Sequence, residues 1–272
     1  KPRDDKNDHL AFIERGTGPV VLLVHGFPLD HSMWDAQIET LGNDYRVIAP
    51  DLRGFGRSRV VPGTATMDQM ADDLAQVLDA IDVREPVALV GLSMGGYVAM
   101  AFCRNHADRL GALVLCDTRA AADAPAAAQT RHETAQRVLA EGTEPLVEAM
   151  IPKLFAPSTL DDRPETVERV KAMIRQADPR GVAAALLGMA QRPDSTDVLS
   201  RLERFLRIEL PQNSSSDAGT DADCFACSTV AVKTLGSTTA ENNGAHGLSS
   251  MRTARASTSQ TAMPRSGSRT RF

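Results

Sequence analysis

Residues 87–96 read Val-Ala-Leu-Val-Gly-Leu-Ser-Met-Gly-Gly. An apolar, β-branched run ends in Gly-x-Ser-x-Gly, and a helical pattern begins at once, over 95–105. A strand that passes straight into a helix through a glycine-flanked serine must turn sharply. The serine backbone is then strained and its hydroxyl stands exposed. Gly91 and Gly95 leave room for the turn, because a Cβ at either position would clash. The helix starting near Met94 aims unpaired N–H groups and a positive dipole end at the same place. Ser93 is therefore a candidate nucleophile. Gly and Ser are common residues, so the pattern gains its weight from the strand before it and the helix after it.

The surrounding text supports this context. Short apolar runs at 20–24, 45–49, 87–90 and 110–115 read as strands buried on both faces. Helical patterns at 33–41, 67–81 and 95–105 lie between them. Strand and helix alternating at this spacing predict an α/β fold: a mostly parallel sheet with helices on both faces. From 120 onward the signals turn helical, at 130–140, 145–150, 164–176 and 179–189. Pro164 and Pro179 sit where first-turn prolines belong. This stretch reads as a helical lid inserted over one end of the sheet. The expected organisation is residues 1–119 as the first part of the core, 120–204 as the lid (cap), and 205–272 as the C-terminal part of the core.

A second motif follows the first strand. His25-Gly26-Phe27-Pro28 forms a loop that can present the Phe27 N–H beside that of Met94, giving two backbone donors for one developing oxyanion. His25 and Gly26 belong to this oxyanion loop. His25 directly precedes the candidate donor, so it is expected to order the loop rather than act as a base. His31 is expected to cap the next helix or to face the pocket, and Trp34 to sit in the core or the pocket wall.

The chain has 272 residues, a formal charge of -5 and 24% charged residues. The acidic balance argues against nucleic-acid binding, and no apolar run reaches the length of a membrane span. The polar N-terminus lacks the pattern of a signal peptide, so a cytoplasmic protein is expected. Cys103 and Cys116 read as buried thiols. Cys224 and Cys227 form a lone CxxC, which without two more ligands or a βαβ context does not make a zinc or redox site. No metal and no cofactor is expected.

Three motifs in order resemble the α/β-hydrolase fold superfamily. They are His25-Gly26-Phe27-Pro28-Leu29-Asp30-His31-Ser32-Met33-Trp34, Asp51-Leu52-Arg53-Gly54-Phe55-Gly56-Arg57-Ser58, and the elbow from Gly91 to Gly96. Cys116-Asp117-Thr118-Arg119-Ala120 and Arg192-Pro193-Asp194-Ser195-Thr196-Asp197 are similar to the branch of serine esterases and 3-oxoadipate enol-lactonase-like proteins. The resemblance covers residues 10–204. It implies acyl transfer on a small-molecule ester or lactone, with a serine, an acid and a histidine in that chain order. A catalytically impaired relative without a proper base is one alternative. A cofactor-free perhydrolase or haloperoxidase is another. The oligomeric state is left open.

The last stretch departs from the family pattern. Of the 62 residues from Pro211 onward, 20 are Ser or Thr and six are Leu, Ile, Val or Phe, too few to bury a core. No strand text is legible after Arg204, so the C-terminal strands are in doubt, and the stretch reads either as disordered or as translated out of frame. His246 is the one histidine at a plausible distance for the base. Asp221 is the candidate acid, with Asp217, Asp223 and Asp117 as alternatives.

Overall fold

The computed structural model describes residues 10–200 and the backbone of residues 206–208. Among the described residues six strands form one sheet: β1 (Phe12–Arg15), β2 (Val20–Val24), β3 (Arg46–Pro50), β4 (Val87–Leu92), β5 (Leu110–Cys116) and β6 (Leu206–Ile208). Their order is β1-β3-β2-β4-β5-β6. β1 runs antiparallel to β3, and every other neighbouring pair is parallel.

The apolar runs are continuous because both sheet faces are covered. Along β2, Val20, Leu22 and Val24 face one core, and Val21 and Leu23 face the other. On the second face, Trp34 and Ile38 cover Val47, Ala49 and Val90. Ile38 lies in α1 (Asp35–Leu41). The first face carries α2 (Met67–Ala80) and α3 (Met94–Asn105), whose Met70, Leu74, Val98 and Phe102 are fully buried there. α2 starts at a capping box, in which the Thr66 side chain takes the Gln69 N–H and the Gln69 side chain takes the Thr66 N–H. Such a pairing satisfies two of the four open donors at a helix start. The expected helix over 33–41 begins instead as a 3-10 turn, His31–Trp34. Its cap is Asp30, which accepts the Ser32 N–H.

Between β5 and β6 the chain is helical: α4 (Pro125–Glu141), α5 (Glu144–Leu154), α6 (Pro157–Asp162), α7 (Pro164–Gln176), α8 (Pro179–Ala190) and α9 (Thr196–Ser200). Helices α4 to α8 each carry proline in the first turn. There its missing N–H costs no helical bond. α8 lies on the long connection after β3 with no space to spare: a Cβ on Gly181 would meet the Gly54 carbonyl at 2.0 Å, and one on Gly188 would meet that of Ala65 at 1.8 Å.

β1, β6, α6 and α9 are absent from the sequence reading. β1 and β6 are four and three residues long, too short to show a period of two. α6 and α9 span six and five residues, under two turns. The expectation that no strand follows Arg204 is corrected by β6, whose Leu206, Arg207 and Ile208 pair with Val114, Leu115 and Cys116.

Candidate active site

The chain passes from β2 to β3 on one side of β2, and β4 then joins its other side. The strand order reverses there, and in open α/β sheets the crevice at such a reversal is where ligands bind, beyond the carboxyl ends of the strands. The segments leaving β2 and β4 at that edge are His25-Gly26-Phe27 and Ser93-Met94. They lie side by side, with Val24 opposite Gly91. A Cβ added to Gly26 would sit 3.7 Å from the Ser93 Cβ.

Ser93 occupies the one-residue turn between β4 and α3 with φ 51° and ψ −111°. Positive φ is unusual for a residue with a Cβ and costs roughly 1–3 kcal/mol. The surrounding structure fixes this conformation. The Ser93 N–H donates to the Cys116 carbonyl at 2.9 Å. The Ser93 carbonyl accepts the Thr118 hydroxyl at 2.8 Å. Glycines make the turn possible, since a Cβ on Gly91 would meet the Gly95 carbonyl at 2.4 Å and one on Gly95 would meet that of Val24 at 2.3 Å. Among the described residues, neither the Met94 nor the Phe27 N–H has a hydrogen-bond acceptor.

His25 is fully buried. Its Nε2 accepts the Leu52 N–H at 2.9 Å, so Nδ1 carries the proton and donates to the Gly26 carbonyl at 2.9 Å. Burial lowers its pKa, which keeps the ring neutral. With both nitrogens engaged, it ties the loop after β2 to the loop after β3. The rings of His25 and Phe27 both meet Phe55 edge-on, at 5.5 and 6.2 Å between centroids.

His31 makes a second tie between the same loops. Its Nδ1 lies 2.6 Å from Oδ1 of Asp51, which also accepts the His31 N–H at 2.9 Å. The sequence suggests a cap or a pocket position for His31 and does not display this pairing, because its partner is 20 residues away. A close seat for the carboxylate comes from Gly56 at φ 52°, where a Cβ would lie 2.4 Å from the Asp51 Cγ. The Asp51 hydrogen bond raises the His31 pKa against the opposing effect of burial. Burial pushes the Asp51 pKa up, but hydrogen bonds from the His31 side chain and from the His31 and Arg57 N–H groups outweigh it and hold it low.

A raised histidine pKa contributes stability that is full below its ordinary 6.5 and is lost as pH rises through the raised value. A lowered carboxylate pKa contributes stability that is full above its ordinary 3.8 and is lost as pH falls through the lowered value. Both contributions are complete between 3.8 and 6.5. The His31→Gln variant is therefore expected to lose most stability to wild type in that window and less in alkaline solution. Urea melts across pH check this, and a constant difference would refute it.

Asp30, His31 and Asp51 place ligand-type atoms within 4.8 Å of one another. Asp30 Oδ1 already accepts the Ser32 N–H and hydroxyl, and Asp51 Oδ1 already accepts from His31, so hydrogen bonds account for the cluster.

Beside the elbow lies an ionic cluster around one buried carboxylate, which the sequence does not display. The Asp123 carboxylate has no exposed surface and meets Arg119, Arg131 and Arg192. The Arg192 guanidinium stacks 3.9 Å from the ring centroid of Tyr97 in α3. The only sequence signal was the family-like text at 116–120 and 192–197.

Of the other expected site residues, Asp117 is exposed at the end of β5 with φ 41°. His246, Asp221, Asp217, Asp223 and the Cys224–Cys227 pair lie outside the described residues. Cys103 and Cys116 are buried, as expected, and Trp34 belongs to the second-face core. Phe155 and Met189, on the helical segment after β5, are 1% and 2% exposed and lie in the first-face core. Among the described residues, no helix is long and apolar enough to cross a membrane.

Known proteins share this fold. A family model described as alpha/beta hydrolase fold matches residues 19–196. A thermophilic esterase from Thermogutta terrifontis, solved with malate bound, shares 53% identity and a TM-score of 0.72 over 74% of each chain. The 3-oxoadipate enol-lactonase 2 of Acinetobacter baylyi is 27% identical over 186 residues, which are 68% of this chain and 67% of that protein. Epoxide hydrolase 3 of Siraitia grosvenorii is 44% identical over 109 residues, 39% of this chain and 34% of that protein. The matching model runs from β2 to the start of α9 and takes in the reversal of strand order with both loops that meet there, so the chain belongs to the α/β-hydrolase fold family.

Proposed function

We propose that this chain is a serine hydrolase that cleaves a small carboxylic ester or lactone through an acyl-enzyme. One observation carries the proposal: Ser93 sits in a strained turn at the reversal of strand order, beside two backbone N–H groups without acceptors among the described residues. In this reading Ser93 Oγ attacks the substrate carbonyl. The carbonyl oxygen becomes an oxyanion and moves between the N–H groups of Phe27 and Met94, which are already fixed and need no reorganisation. His246 takes the serine proton and returns it to the leaving group, and Asp221 orients that histidine. Water then releases the acid by the same steps in reverse. His25 is excluded as the base because both its nitrogens are bonded. Helices α4 to α9 act as the cap that bounds the acyl pocket. The likeness to the Thermogutta esterase and the Acinetobacter lactonase supports ester or lactone as the substrate class.

Intact-mass labelling with a fluorophosphonate, followed by peptide mapping, tests this. A single adduct on Ser93 is expected, since the reagent needs an activated serine and an oxyanion site together. Folded protein that takes no label would favour a hydrolase-like chain without a working base.

A further inference from the structure

The peptide unit between Ser93 and Met94 carries both the Ser93 carbonyl and the Met94 N–H. A trans peptide is planar, with the two groups pointing in opposite directions. Whatever fixes the carbonyl therefore also aims the N–H.

Three donors converge on the Ser93 oxygen. The N–H groups of Gly96 and Tyr97 reach it at 3.0 and 3.3 Å, and the Thr118 hydroxyl at 2.8 Å. The first two belong to the opening turn of α3 and move with it. Thr118 is independent of the helix, because it stands on the segment after β5. It also makes the shortest contact of the three. Room for it exists only because residue 96 is glycine: a Cβ there would lie 2.5 Å from Thr118 Cγ2 and 2.6 Å from its Oγ1. The same segment holds the other side of Ser93, through the bond from its N–H to Cys116. Both peptide units flanking the serine are thus fastened to residues 116–118, in a conformation that Ser93 would not adopt unaided.

We infer that Thr118 is a positioning residue for the Met94 oxyanion donor. Its hydroxyl keeps the Ser93–Met94 peptide from rotating out of the strained turn. It also polarises that carbonyl, which strengthens the N–H at the other end of the same unit as a donor. The inference rests on the serine-hydrolase reading, since only there does the direction of the Met94 N–H affect a rate.

The test compares Thr118→Val, which keeps the shape and removes the hydroxyl, with Thr118→Ser, which keeps the hydroxyl and removes the methyl. Steady-state turnover of p-nitrophenyl acetate, fluorophosphonate labelling rate and the amide NMR resonance of Met94 are measured for each. Deleting an oxyanion donor costs about 100- to 1,000-fold in kcat, and misdirecting one is expected to cost less, about 10- to 100-fold. Thr118→Val should show that loss with KM within about twofold of wild type and a displaced Met94 resonance. Thr118→Ser should restore all three. A purely packing role predicts the reverse order, with Thr118→Ser the worse variant, and that result overturns the inference. So does a Thr118→Val protein labelled as fast as wild type. Wild-type protein that takes no label on Ser93 overturns the hydrolase reading itself, and the inference with it.

Discussion

Replacing Ser93 by alanine is expected to lower kcat for a short-chain ester by about 10,000-fold or more, the scale seen when a hydrolase loses its nucleophile. No hydrogen bond of the Ser93 hydroxyl contributes to the turn among the described residues; the bonds that hold it run to the Ser93 N–H and carbonyl. The melting temperature of Ser93→Ala should therefore stay close to that of wild type. Ser93→Gly separates the two properties further. Glycine accepts φ 51° without a Cβ penalty. This variant should be as inactive as alanine yet more stable, by up to the roughly 1–3 kcal/mol stored in such a conformation. Gain of stability with loss of turnover is the expected mark of a strained catalytic residue. Urea denaturation and ester turnover on the same three proteins read out both effects. Wild-type turnover in Ser93→Ala would remove Ser93 from the mechanism.

Much of the framework was legible in the sequence because its signals are local. β2, β4 and β5 are apolar runs in a sheet covered on both faces, and Gly91 is required by a carbonyl four residues on, that of Gly95. Gly95 and Gly96 are required by distant segments instead, the Val24 carbonyl and the Thr118 side chain. What the sequence did not display depends on residues far apart in the chain. The hydroxyl of Thr118 reads as one more polar side chain until β5 is placed beside β4. His31 looks like a helix-start residue until the loop after β3 brings Asp51 to it. The edge strands stayed hidden for a different reason: three or four residues do not establish a period. His246 and Asp221 rest on chain order and distance from the serine. They lie outside the described residues, so the elbow and the loop after β2 carry the site.

Asp123→Asn is expected to be the most damaging single change to stability outside the sheet. The side chain of Asp123 is wholly inaccessible and that of Arg192 is 3% exposed. Arg192 spends its other donors on the carbonyls of Met189 and Ala121, at 3.0 and 2.9 Å, and lies against the Tyr97 ring. It cannot swing out to water without breaking these contacts. Its Nε has no partner among the described residues, so the carboxylate already compensates an incompletely satisfied cation. Burial pushes the Asp123 pKa up, but hydrogen bonds from Arg131 and Arg192 outweigh it and hold it low.

Removing one member of a buried pair strands the other, at a cost of about 3–5 kcal/mol. In a domain of this size each kcal/mol moves the melting temperature by about 2–4 °C, so a fall of roughly 6–20 °C is expected. A lowered carboxylate pKa stabilises above the ordinary 3.8 and ceases to do so as pH falls through the lowered value. The gap between wild type and Asp123→Asn should therefore close in acid and remain constant from neutral pH upward.

The location adds a second consequence. Asp123 stands on the passage from β5 into the helical insertion, and Arg192 on the passage between α8 and α9. These passages are also bonded directly, Ser195 N–H to the Ala120 carbonyl at 2.9 Å. If α4 to α9 bound the acyl pocket, loosening this joint should raise KM for the ester more than it lowers kcat, whereas a lesion at the elbow would act on kcat. Scanning calorimetry across pH, with steady-state kinetics at a temperature where both proteins are folded, separates the two. A stable Asp123→Asn protein with unaltered KM would mean that the three arginines find other partners and that the cluster does not set the position of the insertion.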